Sequence, residues 1–82
     1  MSKQFSVELD EASSMAYVTF SAGPVAKTVA INEDLNIDLD ADGNVLGIEY
    51  LNLQVELPEA RLIDEFKMDA GLVHKLNRGM AA

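Results

Sequence analysis

Two arms of alternating residues flank Asp42-Gly43, and they constrain the fold more than any other feature of the chain. Leu35, Ile37 and Leu39 alternate with Asn36, Asp38 and Asp40 before the pair; Leu46, Ile48 and Tyr50 alternate with Val45, Gly47 and Glu49 after it. Period-two alternation is the mark of a strand with one dry face. Asp-Gly suits a two-residue type I′ hairpin turn, whose central residues both need positive φ. With that turn, Leu39 faces Leu46, Asp38 faces Gly47, Ile37 faces Ile48, Asn36 faces Glu49 and Leu35 faces Tyr50. Directly opposed residues share a face, so the apolar rows meet; a one-residue slip would set them against polar ones.

The same period recurs upstream. Phe5, Val7 and Leu9 form one alternating set, Ala16, Val18 and Phe20 a second, and Val25, Lys27, Val29 and Ile31 a third, broken by Glu11–Ser14 and by Ser21-Ala22-Gly23-Pro24. Beyond Tyr50 the phase changes to Leu51, Leu53, Val55 and Leu57. Two continuations fit: a strand carried on past a bulge, or a separate extended segment. Pro58 suits the first position of a helix, with Leu62, Ile63 and Phe66 at helical spacing. Asp69 suits the cap of a second helix or lies within a continuation, and Gly79 is a stop signal. The pattern predicts an α+β fold: an antiparallel β-meander of four to five strands followed by one or two C-terminal helices packed on the sheet. With 82 residues it is a single domain, 1–82: a meander over 1–51 and a helical extension over 52–82. A chain this short buries roughly 60% of its unfolded surface, so the core is thin. The surplus apolar alternation at 51–57 therefore suggests a homodimer that extends a sheet edge across two chains.

The net charge of −8 is concentrated. Residues 33–56 hold seven acids (Glu33, Asp34, Asp38, Asp40, Asp42, Glu49 and Glu56) and no base. Such a segment repels a phosphate backbone, which argues against nucleic acid, and attracts a basic protein or a cation. Solvated surface charge that serves solubility is the plainer role for it. No apolar run is long enough to span a bilayer and the N-terminus has no leader pattern, so the expectation is a cytoplasmic chain with no membrane partner. Without cysteine, thiol catalysis and cysteine–zinc sites are excluded. The single histidine, His74, has no nucleophile or second histidine near it in sequence, and the serines lack a nucleophile-elbow pattern. We expect no enzyme, no catalytic residue and no cofactor.

Asp38, Asp40, Asp42, Gly43 and Glu49 fit the spacing of a calcium loop. An EF-hand needs a helix on each side, whereas these flanks alternate with period two. The acids Asp38, Asp40, Asp42 and Glu49 remain candidates for a weak divalent-cation site on the hairpin. Asp38, Asp40 and Glu49, with Tyr17 and Tyr50 as aromatic anchors, are the candidate partner-binding residues.

Asp10-Glu11-Ala12, Ala16-Tyr17-Val18-Thr19-Phe20, Val25–Val29, Asp40–Asn44 and Gly47-Ile48-Glu49-Tyr50-Leu51 follow one another in an order that resembles domain of unknown function family 2283, a group of uncharacterised small bacterial and phage proteins. Ser14-Met15 and Leu9 depart from that pattern, and the tail from Asn52 lies outside it. The resemblance implies a compact β-rich domain and no established activity. It also implies an antitoxin-type role beside small toxin-like proteins. The expectation is a non-enzymatic protein-interaction module that binds a basic partner, with weak cation binding by the hairpin as the alternative.

Overall fold

The computed structural model describes residues 5–81; Met1–Gln4, where a leader pattern would begin, and Ala82 lie outside the described residues. Five strands come first: β1 (Ser6–Asp10), β2 (Met15–Thr19), β3 (Lys27–Asn32), β4 (Leu35–Leu39) and β5 (Val45–Tyr50). Two helices follow, α1 (Glu59–Phe66) and α2 (Ala70–Ala81). All strand pairs are antiparallel, in the order β1-β2-β5-β4-β3. The α+β expectation holds, with five strands and two helices.

The order is not that of a simple meander. β3, β4 and β5 run consecutively, and β2 then pairs with the far side of β5. The β2–β3 connection therefore crosses the hairpin end of the sheet. It is tied at both ends: Phe20 N donates to Leu46 O at 2.8 Å and Ala26 N to Leu39 O at 2.9 Å.

The central hairpin keeps the expected register over Leu35–Tyr50, Asn36–Glu49, Ile37–Ile48 and Asp38–Gly47, then shifts so that Leu39 faces Val45. The turn explains the shift. Asp42 does not have positive φ; only Gly43 does, at 85°. A type I′ pair is thereby excluded. Instead the Asp40 carboxylate organises a wider loop, Oδ1 accepting from Asp42 N and Asn44 N at 2.9 Å each. Gly43 N donates to Asp40 O at 3.1 Å and Asp40 N to Asn44 O at 3.0 Å. One residue is gained on the β5 side, and Leu46 leaves the aliphatic row. It is buried apart from the main core.

The helices cover one face of the sheet. Val18, Leu35, Ile37, Ile48 and Tyr50 are fully buried there against Leu62 of α1 and Val73 of α2. Each such aliphatic side chain contributes about 1.5–3 kcal/mol, enough together to hold two short helices on a small sheet. Pro58 is the N-cap of α1, not its first residue, and accepts from Leu62 N at 3.1 Å. Lys67, at φ 59°, turns the chain between the helices. Asp69 caps α2 as expected, Oδ2 accepting from Leu72 N at 2.9 Å. Gly79 does not stop that helix, which continues to Ala81.

The segment 51–57 is not a strand. Leu51 N is taken by Asp34 O at 2.9 Å, and Asn52 Oδ1 accepts from Gln54 N at 2.9 Å in a local turn. Leu57 is buried, and Leu53 and Val55 pack against the core. The apolar set closes over the core instead of offering an edge, so a dimer built on 51–57 has no structural basis. Asn77 of α2 fastens this segment: its Oδ1 accepts from Leu57 N at 2.6 Å, and its Nδ2 donates to Leu57 O at 3.0 Å and to Glu59 Oε2 at 2.8 Å.

Candidate protein-binding face

The face turned away from the helices is set by strand parity. It presents Ser6, Glu8 and Asp10 of β1, Met15, Tyr17 and Thr19 of β2, Gly47 and Glu49 of β5, Asn36 and Asp38 of β4, and Thr28 and Ala30 of β3. Glu8, Asp10, Asp38 and Glu49 are its acids, and no base stands among these paired residues.

Tyr17 is its centre. Its ring lies over Gly47 and reaches past β5 to β4, where the hydroxyl donates to Asp38 Oδ2 at 2.7 Å. Thr28 Oγ1 donates to the other carboxylate oxygen at 2.6 Å. The second row is joined by Asn36 Nδ2, which donates to Glu49 Oε1 at 3.0 Å. Only glycine permits this crossing. A Cβ on residue 47 would lie 2.6 Å from Tyr17 Cζ and 2.8 Å from Val18 O, closer than such atoms approach. Burial, and then the bond to Asp38 and the negative charge of Asp38 and Glu49, push the Tyr17 hydroxyl up to about 12. It stays a donor at any physiological pH. At the β1–β2 end, a cavity of about 270 Å³ opens between Glu8, Asp10 and Glu49, with Leu9, Met15 and Tyr17 along its wall.

The other expected site residues fall elsewhere. Asp40 and Asp42 belong to the hairpin loop. The Asn44 N–H foremost, with the Asn44 side chain and the Asp42 and Gly43 N–H groups, holds the Asp40 carboxyl below the usual carboxylate range. The structure does not gather Asp38, Asp40, Asp42 and Glu49: among the described residues there is no group of three or more acids or histidines able to hold a metal ion. Tyr50 is a correction. It lies wholly buried on the helix face, where it cannot anchor a partner, and its hydroxyl has no hydrogen-bond partner among the described residues. Burial pushes it up to about 12. Sequence reasoning missed Glu8 and Asp10 as members of the face. The signal was available, since β1 alternates and its polar residues must share a side with those of β2.

A cavity of about 350 Å³ is on the helix side, between Phe20, Val45, Phe66, Lys67, Met68 and Leu72. Its one carboxylate, Asp69, is engaged in capping α2. His74 is exposed, with Nδ1 3.7 Å from Glu59 Oε2. Among the described residues no helix is long and apolar enough to cross a membrane.

The family described as "Protein of unknown function (DUF2283)" matches residues 6–54. The chain belongs to that family. The match begins with β1, takes in all five strands and ends inside the segment that follows them. The sheet and its acidic face are thus the family's part of this DUF2283 chain, and both helices lie beyond it. No curated protein and no solved structure matches the chain.

Proposed function

We propose that this DUF2283 protein is a non-enzymatic interaction module of the cytoplasm, and that its open sheet face binds a basic protein. The observation that carries the reading is the composition of that face: four carboxylates, no base, and Tyr17 held flat at the centre by Asp38. Charge of one sign on a flat surface favours a partner of the opposite sign and speeds the encounter. The notch between Glu8, Asp10 and Glu49 suits one lysine or arginine side chain, its stem against Met15 and Tyr17 and its head among the carboxylates. A small basic ribonuclease-like toxin, neutralised by occupation of its positive surface, is the partner class that the family resemblance adds.

Native mass spectrometry of the protein purified gently from its own host tests this. A stoichiometric basic partner is expected, lost with rising salt and weakened about tenfold or more by Glu8→Gln with Glu49→Gln. A partner that is acidic, or binding that ignores both salt and the double substitution, defeats the reading.

A further inference from the structure

β1 is the unguarded edge of the sheet. The opposite edge, β3, carries three devices that discourage another strand: a register shift between Ala30 and Asn32, an exposed lysine at Lys27, and Arg61, whose Nη1 donates to Ile31 O at 3.4 Å. β1 has none of them. Its register with β2 is unbroken, and Ser6–Asp10 contains no proline, lysine or arginine. Its outer backbone groups meet no other strand among the described residues. A row of that kind accepts an extended segment.

The side chains say which segment. Val7 and Leu9 are 44% and 52% exposed, although they stand on the core face opposite buried Val18 and Ala16. Phe5, on the same parity, packs against Phe20 with ring centroids 6.1 Å apart. We propose that β1 pairs antiparallel with β1 of a second copy of this chain, about a two-fold axis at Val7, joining two five-stranded sheets into one. In that register Val7 meets Val7 of the partner subunit, Leu9 meets Phe5 of the partner subunit, and Glu8 meets Ser6 of the partner subunit. The register centred on Glu8 sets two glutamates face to face, which is destabilising. An offset of one residue sets Val7 and Leu9 against polar neighbours. Of these registers the one centred on Val7 is self-complementary, and pairing there carries the apolar face across the axis.

The chain has no cysteine, so a single introduced one reports the pairing. The unaltered protein sediments at twice its 8.9 kDa chain mass as concentration rises. On mild oxidation Val7→Cys forms a covalent dimer, while Lys27→Cys on the β3 edge does not. Val7→Lys keeps the far-ultraviolet circular dichroism of the parent and raises the dimer dissociation constant about a hundredfold, because two charges are brought together on the axis. A mass of 8.9 kDa at every concentration overturns the proposal, as does equal cross-linking at both edges. Glu49→Gln leaves the dimer intact, so the failure of this interface and the failure of the acidic face as a binding surface are read separately.

Discussion

At the scale of single residues, burial raises the pKa of both tyrosines, and for Tyr17 the bond to Asp38 and the charges of Asp38 and Glu49 add to it. Tyr17 is held by a carboxylate on a half-open face; Tyr50 is simply enclosed. Both favour the neutral form in the folded chain, so their contribution is whole below the ordinary tyrosine value of 10.0 and is lost as pH climbs from there to about 12. An alkaline titration read by ultraviolet absorbance should show no phenolate wave near 10.0 while the fold persists. Gly47→Ala should separate the two. It pushes the Tyr17 ring off β5, costs about 1–3 kcal/mol by overpacking, and returns one of the two waves towards 10.0. An unchanged titration would mean that Tyr17 reaches Asp38 by another route. Tyr50→Phe removes a buried hydroxyl that has no partner among the described residues, so stability measured in urea should hold or rise by about 1 kcal/mol. A loss of that size would reveal a bonded hydroxyl.

At the scale of elements, α2 is attached by one amide as well as by its apolar stripe. Asn77 gives Leu57 the donor and acceptor that a neighbouring strand would have given. Asn77→Ala leaves both backbone groups unpaired at a half-buried site. The expected cost is about 2–3 kcal/mol, or a melting temperature lower by about 10 °C for a domain of this size. Asn77→Asp should recover only the acceptor half, because a carboxylate cannot donate to Leu57 O and would face Glu59. If the alanine variant melts with the parent, the segment is held by Leu57 burial alone. The Asp40 loop shows how little of such geometry alternation encodes. The arms of the hairpin were legible because Leu35, Ile37 and Ile48 must share a dry face. The turn was not, because Asp40 outcompetes the two-residue solution with its own carboxylate.

At the scale of the whole molecule, strand existence was readable and strand order was not. Alternation marks β2 and β5 as half-buried, but nothing in period two says that they lie side by side across an intervening hairpin. The acidic face was legible only in part for the same reason. Asp38 and Glu49 share a hairpin, whereas Glu8, Asp10 and Tyr17 join them through the β2–β5 pairing. Tyr50 was misplaced because an aromatic residue at a strand end suits a surface as well as a core. The two proposed associations have opposite electrostatics in a chain of net charge −8. Salt should weaken the hold on a basic partner and strengthen the self-association of β1, since like charges repel less when screened. Titrating sodium chloride against sedimentation and against partner binding should give slopes of opposite sign. Parallel slopes would mean that one surface serves both.

The crossing of Tyr17 over Gly47 also orders the history open to this sheet. A lineage can exchange the tyrosine for a smaller residue and keep the glycine, because an uncovered glycine breaks nothing. The reverse path is closed: a methyl at 47 meets both the ring and Val18 O, and the second obstacle is backbone that no change at 17 removes. The aromatic clasp is therefore something descendants can lose and regain at residue 17 alone, because the backbone keeps the glycine in place either way.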